Sequence, residues 1–324
     1  MTYNSAQPYH SQRSPVAAGN LVATSQPLAV QAGLDALKRG GNAADAAIAA
    51  AITLTIVEPT GNGIGADAFA LIWENGKLHG LNASGHSPAA WTPEHFKNYK
   101  AMPIFGWDTV TVPGAVSAWQ CVSEKFGRLP FSELFHAAVD YAERGFPVGP
   151  ITAKLWQNVE QECAQQTGFA EHFLPAPKAG ERFVRADAAR SLTKIAESNG
   201  RAFYQGELAE QIVVIAEKDE ARLALDDLAT HKSEWVSPID INYRDATVHQ
   251  IPPNGQGLAV LIGLGILDRL EVGRSFSADS VHYQIEAMKV ALRAAADHIA
   301  HPTHDPLDLG DSASPLFADR DVTG

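Results

Sequence analysis

The sequence predicts a mixed α/β (α+β) fold in which helices and sheets pack in layers. Helical and extended patterns alternate along most of its 324 residues, which favours this class over an all-helical or all-β protein. Residues 43–51 are almost all alanine, the best helix former. Asn75-Gly76, between two runs of strand-forming residues, is a strong hairpin signal. A tightly packed helix followed by a hairpin is therefore the centre of the predicted fold.

Two helices are predicted before the hairpin. Apolar residues recur at helical spacing over residues 26–39, and a short strand over residues 20–25 is expected to lead into them. Asn42 can cap a second helix over residues 42–57 through its side-chain oxygen. This helix ends near Pro59, because a residue before proline is pushed out of the helical region.

The hairpin has predicted strands over residues 66–74 and 77–82. It delivers the small polar run 82–87 (NASGHS) to one end of a sheet. The preceding loop, residues 60–65 (TGNGIG), has glycine at every second position, which suits a close approach to the main chain. Taken singly, these elements suit a helix packed on a hairpin with no catalytic role. Their order together suits the frame of a buried acyl-transfer site.

The rest of the chain continues the alternation of helices and strands. Strands are predicted over residues 109–114 and, as a pair with a turn at residues 243–245, over residues 235–251. Helices are predicted over residues 90–99, 115–126, 129–146, 152–166, 186–199, 207–217, 257–270 and 277–300, with a further helix start at Asp226-Asp227.

Composition excludes several partners and sites. The net charge of −12 argues against a nucleic-acid or anionic-membrane partner, since both need basic patches. Cys121 and Cys163 are the only cysteines, so neither a disulfide framework nor a cysteine-based metal site is expected. The polar N-terminus lacks the apolar core of a secretory signal, and no run reaches the roughly 20 apolar residues of a membrane span. Residues 1–19 are expected to form an N-terminal arm, and the location is expected to be cytoplasmic.

Common cofactor motifs do not fit. TGNGIG lacks the full dinucleotide fingerprint and follows a helix instead of a strand. Neither a Walker-type phosphate loop nor a GxSxG elbow occurs, so no cofactor is predicted. The spacing of His298, His301 and His304 allows a metal site, but a solvated helix end is favoured, and no metal is predicted. Asp67, just after the glycine loop, is expected to brace the turn.

Several motifs together carry a resemblance to a known family. The run GGNAADAAIAA…VEPTGNGIGADAFALIW (from Gly40) resembles the signature of the gamma-glutamyltransferase family of N-terminal-nucleophile hydrolases. VPGAVSAW and the Phe203-Tyr204-Gln205-Gly206 connector are similar to further motifs of this family. The resemblance implies a four-layer α-β-β-α sandwich, with residues 20–324 as a single domain that forms the larger-subunit part.

The resemblance also implies where the catalytic group lies. Members of this family are made as one precursor that cuts itself before a threonine, whose hydroxyl is the nucleophile and whose free amine is the base. It implies no catalytic residue in this chain, a threonine nucleophile just after Gly324, and a smaller subunit from the same precursor as partner. A dimer of such heterodimers is allowed. The alternative, that Gly324 is an arbitrary boundary, stays open.

One departure from the family bears on the substrate. Typical members carry an Arg-Glu dipeptide shortly before the position of Ser87-Pro88, and its arginine holds the substrate carboxylate. Ser84-Gly85 stands there in this chain, so gamma-glutamyl donors such as glutathione are poorly suited. Members with a Ser-Gly-His/Arg segment include oxamate-hydrolysing enzymes of purine-ureide breakdown, and the resemblance implies a small carboxylic amide, best represented by oxamate, hydrolysed to oxalate and ammonia. The predicted substrate-binding residues are Asn82, Ser84, Gly85 and His86.

Alternatives remain at this point. Ser84 and His86 suit local turn bonding as well as they suit substrate binding. Asn254 and Gly255, in the loop PPNGQG, stand where the family has serines. A gamma-glutamyltransferase or gamma-glutamyl hydrolase, or a cephalosporin-type acylase, is the second hypothesis. A non-enzymatic binding protein on the same scaffold is the third.

Overall fold

The computed structural model describes residues 16–270 and 277–299. Two short 3₁₀ helices span Trp107–Thr109 and Phe131–Phe135. The α-helices are α1 (Pro27–Lys38), α2 (Ala43–Val57), α3 (Pro93–Phe96), α4 (Ala115–Phe126), α5 (His136–Arg144), α6 (Pro150–Cys163), α7 (Phe169–Phe173), α8 (Ala186–Glu197), α9 (Arg201–Gln205), α10 (Glu207–Lys218), α11 (Leu225–Ala229), α12 (Gly257–Asp268) and α13 (Ala278–His298). The strands are β1 (Ala68–Glu74), β2 (Lys77–Ala83), β3 (Phe146–Pro147), β4 (Arg182–Phe183), β5 (Glu234–Val236), β6 (Ile239–Tyr243) and β7 (Ala246–Gln250). This mixture of helix and sheet agrees with the predicted class.

The chain divides into two compact units. The first contains the described residues up to 63 together with residues 122–199, and the second contains residues 64–121 together with the described residues from 200 onward. The predicted single domain over residues 20–324 stays a prediction.

The first unit is built on the predicted alanine-rich helix. The Asn42 side chain accepts from the N–H groups of Ala44 and Asp45, and the Asp45 carboxylate accepts from the Asn42 N–H in return, so a capping box starts α2. A Cβ placed on Gly33 of α1 would lie 2.9 Å from the carbonyl oxygen of Ala46. The two helices therefore pack at backbone contact, as the small side chains predict.

The buried carboxylate of Asp45 also fastens a loop of the first unit. Asp45 is fully buried and accepts from the backbone N–H groups of Arg128, at 3.0 Å, and of Leu129, at 3.4 Å. One side chain thus satisfies donors at the start of a helix and in a loop more than 80 residues away.

The second unit contains the hairpin. β1 and β2 pair antiparallel from Ala68 opposite Ala83 to Glu74 opposite Lys77, and β5 adds antiparallel to the other edge of β2. The predicted hairpin and its Asn75-Gly76 turn are confirmed. The second pair of strands, β6 and β7, packs on α12 and α13, where Leu261 and Ala291 are fully buried.

Two predicted strands are wrong. The first is the strand predicted over residues 20–25. It does not form, and no strand of the described chain pairs with these residues. Residues 110–114 make only isolated contacts, such as Val112 N–H to the His86 carbonyl at 3.0 Å and Gly114 N–H to the Ala66 carbonyl at 3.1 Å. Pro113 has no N–H to continue a ladder there.

Some predictions fall outside the described residues. These concern residues 1–15 of the N-terminal arm, the histidines at 301 and 304, and Gly324. None of the helices in the described ranges combines the length and apolar character needed to cross a membrane.

Candidate functional site

The polar run 82–87 begins in the last two residues of β2, the strand that lies between β1 and β5 in its sheet. Asn82, the next-to-last residue of β2, lies opposite Phe69 on β1 and opposite Glu234 on β5. Directly opposed residues of antiparallel strands point to the same face of a sheet. Asn82 is 9% exposed, so its amide needs hydrogen-bond partners within the protein.

Those partners form a closed ring of three side chains. The Asn82 amide Nδ2 donates to Asn254 Oδ1 at 2.9 Å, and Asn254 Nδ2 donates to Ser84 Oγ at 2.9 Å. The Ser84 hydroxyl donates to Asn82 Oδ1 at 2.8 Å and closes the ring. Each asparagine uses one of its two amide N–H groups in this ring, so each has a second N–H that the ring does not use.

The backbone of Ser84 shows that local turn bonding and the long-range contact occur together. Its N–H donates to Asn82 Oδ1 at 2.9 Å, which is the turn expected from sequence. The same residue then reaches Asn254 in the loop before α12. Among the described residues, both side-chain partners of the Ser84 hydroxyl are amides, and an amide is not a general base.

Gly85 is required by close packing of the backbone. A Cβ at Gly85 would lie 1.6 Å from the Val112 carbonyl oxygen, and a Cβ at Gly114 would lie 1.7 Å from the Ala83 carbonyl oxygen. No side chain fits at such distances. The Gly85 N–H points to Asp67 Oδ1 at 3.4 Å, so Asp67 braces this segment. Its predicted role in the turn at the glycine loop stays a prediction.

One small pocket gathers the four predicted residues. Its volume is about 20 Å³, and it opens to solvent. It is lined by Asn82, Ser84, Gly85, His86, Lys232, Glu234 and Asn254. The sequence prediction thus placed four residues that do lie together, and their binding role stays a prediction.

Three lining residues are not among the four predicted ones. Asn254 stands where the family has serines, and that position is a usable signal in the sequence. Lys232 and Glu234 come just before and at the start of β5. Only the pairing of β5 with β2 brings them to Asn82, and a three-residue strand gives little pattern in sequence.

The segment from His231 to Glu234 separates two sets of contacts. Lys232 and Glu234 line the pocket with Asn82. The intervening Ser233 instead meets Ser117 at 2.6 Å between the hydroxyl oxygens, and His231 stacks on the Tyr204 ring with centroids 5.4 Å apart. Successive side chains of an extended segment point to opposite sides, so this segment forms a wall with a face on each side.

The electrostatics of the pocket come from a few groups. Among the described residues that line it, Lys232 carries the permanent positive charge and Glu234 the negative one. Burial lowers the pKa of His231, on the other face of the wall, and the neighbouring His86 lowers it further. His231 is therefore neutral at pH 7, while Lys232 is charged.

This arrangement suits recognition of a small polar acyl group. Amide N–H groups of Asn82 and Asn254 can donate to a carboxylate or to an amide carbonyl, and the Lys232 ammonium can hold a carboxylate. Within the described residues, no group of three or more histidine, cysteine or acidic side chains is placed to hold a metal ion.

Comparison with known proteins identifies a family and individual proteins that are similar to this chain. The family model described as gamma-glutamyltranspeptidase matches residues 29–320. The chain is 35% identical over 285 residues to the glutathione hydrolase-like YwrD proenzyme of Bacillus subtilis (strain 168), covering 86% of this chain and 54% of that protein. It is 32% identical over 312 residues to the oxamate amidohydrolase proenzyme of Klebsiella pneumoniae subsp. pneumoniae, covering 93% and 59%.

A solved structure is similar as well. The cephalosporin acylase from Bacillus halodurans superposes with a TM-score of 0.89 at 44% sequence identity, covering 95% of this chain and 60% of that chain. The chain therefore spans little more than half the length of the curated relatives described above.

Proposed function

The chain belongs to the gamma-glutamyltranspeptidase family, and from this premise we propose that it builds the substrate pocket of a self-processing amidohydrolase. The predicted N-terminal-nucleophile hydrolase fold class is confirmed by the similarity to the solved acylase. In the proposed enzyme the nucleophile is a threonine at the start of a second chain cut from the same precursor. The curated relatives are named proenzymes, which supports this arrangement.

An exposed apolar face supports a second chain as partner. On β1, Phe69, Leu71 and Trp73 alternate along the strand and are 46%, 41% and 68% exposed. β1 is also an edge strand of its three-stranded sheet. An edge strand with an apolar face is normally covered by another element. The Phe69 ring would be 3.9 Å from a Cβ at Gly255, so this face adjoins the loop that carries Asn254.

The proposed substrate is a small amide that carries a carboxylate, with oxamate as the best candidate. The observation that carries this proposal is the convergence of Lys232 with the Asn82–Ser84–Asn254 ring on one small pocket. Lys232 supplies the positive charge that the family's arginine supplies elsewhere. It is exposed and makes no ion pair within the described residues, so its ammonium is available to a carboxylate.

The proposed mechanism divides the work between the two chains. The threonine hydroxyl attacks the amide carbonyl, its own amine takes the proton, and the resulting oxyanion is held by hydrogen-bond donors. Collapse of this intermediate breaks the C–N bond while the protonated threonine amine returns its proton to the leaving nitrogen, which departs as ammonia. Water then hydrolyses the acyl-enzyme to the free acid and regenerates the threonine hydroxyl. The residues of this chain hold the carboxylate end of the substrate, so that the carbonyl meets the nucleophile in a fixed orientation.

The decisive experiment uses the complete protein. The full-length precursor is expressed, its chains are weighed by intact-mass spectrometry, and oxalate and ammonia are measured after incubation with oxamate. Two chains, the second beginning with threonine, and release of both products in equal amounts are expected. A single uncut chain would contradict the self-processing proposal and favour a non-enzymatic binding protein.

A second candidate is a cephalosporin-type acylase. The observation that favours it is the 44% identity to the Bacillus halodurans acylase over nearly the whole chain. A cephalosporin amide and a gamma-glutamyl anilide, each with and without an acceptor dipeptide, are therefore assayed beside oxamate. Turnover of the cephalosporin amide without turnover of oxamate would replace the oxamate proposal by the acylase, and transfer to the dipeptide would indicate a gamma-glutamyltransferase.

A further inference from the structure

A second cavity lies on the other face of the wall formed by residues 231–234. It is open to solvent, and its volume of about 270 Å³ is far more than one water needs. It is lined by Ser117, Gln120, Arg201, Tyr204, Gln205, Ala229 and His231. We call it the Arg201 pocket. None of its lining residues lines the pocket around Asn82.

Among the described residues, the lining of the Arg201 pocket is polar and includes no carboxylate. Arg201, at the start of α9, is its source of positive charge, and the other polar groups are hydroxyls, amides and an imidazole. The guanidinium is exposed and makes no ion pair with any residue that the structure describes. A cation without an ion-pair partner among the described residues, in a lining without carboxylates, attracts anions locally even though the net charge of the chain is −12.

Some lining groups are already occupied by structural contacts. The Tyr204 hydroxyl donates to the Pro113 carbonyl at 2.8 Å and accepts from the Ser117 N–H at 3.0 Å. The Gln205 amide donates to the Ala229 carbonyl at 3.2 Å. These contacts fix the walls of the cavity, so its shape is set before any ligand enters.

The buried imidazole of His231 also lines this cavity. Both of its ring nitrogens are buried, and neither has a hydrogen-bond partner among the described residues. A buried polar atom without a partner is unfavourable, and a ligand or water is its usual remedy.

We propose that the Arg201 pocket binds a small anion through a carboxylate or phosphate group, with the Arg201 guanidinium as the charged anchor. The guanidinium offers paired N–H donors that match two oxygens of such a group. The amides and hydroxyls of the lining supply uncharged hydrogen bonds to the rest of the ligand. The cavity is slightly smaller than the range for drug-sized ligands, which fits a metabolite-sized anion. This proposal does not depend on the nature of the amide substrate.

The test is a titration of the complete, processed protein by calorimetry. The probes are inorganic phosphate, succinate and the neutral diamide of succinate. Phosphate or succinate is expected to bind to the wild type, more weakly at high salt, and the neutral diamide is expected not to bind. Phosphate without succinate would assign the site to phosphate groups, and succinate without phosphate would assign it to carboxylates. Absence of binding by both anions would overturn the proposal, including the case in which another chain fills the cavity.

Matched variants assign the binding to this cavity. Arg201→Gln is expected to weaken anion binding by at least about tenfold, since a charge-assisted hydrogen bond is lost, and Arg201→Lys is expected to retain part of it. Lys232→Met, which alters the other face of the wall, is expected to leave the part of the binding that depends on Arg201 within about twofold. A loss in Lys232→Met with none in Arg201→Gln would place the anion in the other pocket and overturn the proposal.

A second measurement keeps the test independent of variant folding. In the wild type, the ring nitrogen resonances of His231 are followed by NMR during the titration. A shift that saturates with the calorimetric binding curve is expected, because His231 lines the cavity. Unchanged His231 resonances at saturating anion would place the ligand elsewhere.

Discussion

Asn254 and Ser84 are bonded side chain to side chain, with Asn254 Nδ2 donating to Ser84 Oγ at 2.9 Å, although they lie 170 residues apart in the sequence. The contact joins the loop before α12 to the end of β2. Both residues also bond to Asn82, so the three side chains hold one another in a fixed orientation. A pocket built in this way presents its amide N–H groups in a constant direction.

The ring predicts that Asn254 positions the substrate without carrying the fold. Asn254→Ala is expected to lower kcat/KM for the substrate by about 5- to 150-fold, the range for a lost hydrogen bond that leaves its partners unsatisfied. Steady-state kinetics of the processed enzyme measure this. Asn254→Ala combined with Ser84→Ala should be less damaging than the sum of the two, because both remove parts of one network. Strict additivity would contradict the ring.

Lys232 is predicted to recognise the charge of the substrate. With oxamate, Lys232→Met should raise KM at least about tenfold, and Lys232→Arg should restore most of the loss. With oxamide, the neutral analogue, Lys232→Met should have little effect. Equal losses on both substrates would show that the residue has only a structural role.

Glu234 provides the opposite charge change in the same pocket. Removing its negative charge by Glu234→Gln should lower KM for oxamate, since a nearby anion repels a carboxylate. The same kinetics test this prediction. A higher KM in Glu234→Gln would instead indicate a substrate with an ammonium group, as in the gamma-glutamyl alternative.

Backbone contact at Gly85 predicts a severe effect of one added methyl group. In Gly85→Ala the new Cβ would lie 1.6 Å from the Val112 carbonyl oxygen, so the backbone must move. A loss of at least about 3 kcal/mol in the free energy of unfolding is expected, in the upper part of the range for point mutants. Gly61→Ala is the control, because nothing lies within 4 Å of a Cβ there. Urea denaturation of both variants compares them, and equal stability would contradict the close approach.

The buried carboxylate of Asp45 predicts a stability effect away from the pocket. Asp45→Ala leaves the N–H groups of Asn42, Arg128 and Leu129 without their acceptor. The expected loss is about 2–4 kcal/mol in the free energy of unfolding, from a lost cap and unsatisfied donors. Asp45→Asn keeps one acceptor oxygen and should lose less. Thermal or urea unfolding tests the order, and an equal loss in both variants would contradict this account.

The position of His231 predicts a pH dependence of stability. Burial and the neighbouring His86 hold the pKa of His231 below its ordinary value of 6.5. Below pH 6.5 the unfolded chain therefore binds a proton at this residue that the folded chain does not bind. The contribution of His231 to the free energy of unfolding is thus fully present above pH 6.5 and declines as the pH falls toward the folded pKa.

The His231→Phe variant isolates this contribution, since phenylalanine can keep the stacking on Tyr204. Free energies of unfolding of wild type and variant are compared at pH 8, 6 and 5. The wild type should lose more stability than the variant as the pH falls. Parallel curves would contradict the lowered pKa.

Sequence predicted those parts of the fold whose pattern is local. The α2 helix follows from its alanines and its Asn42 cap, and the β1–β2 hairpin follows from Asn75-Gly76 and the flanking strand formers. The strand predicted over residues 109–114 does not form. Pro113 has no N–H to donate within a strand ladder, and the residues that contact this segment are distant in the sequence. A high strand propensity does not by itself supply a second strand with which the segment can pair.

The candidate site was predictable in its local half. Asn82, Ser84, Gly85 and His86 lie within five positions of one another, so a single polar run at a strand end identifies them together. The other half depends on long-range pairing. Lys232 reaches the pocket only through the register of β5, which sets Glu234 opposite Asn82, and a short strand does not reveal its register in sequence.

The wall at residues 231–234 has a thermodynamic consequence. Its alternate side chains face two separate cavities, so any displacement of this backbone segment changes the lining of both. If an anion in the Arg201 pocket changes the affinity for the amide by some factor, the amide must change the affinity for the anion by the same factor. Measured in either direction, this factor reports how strongly residues 231–234 couple ligand binding in the two cavities.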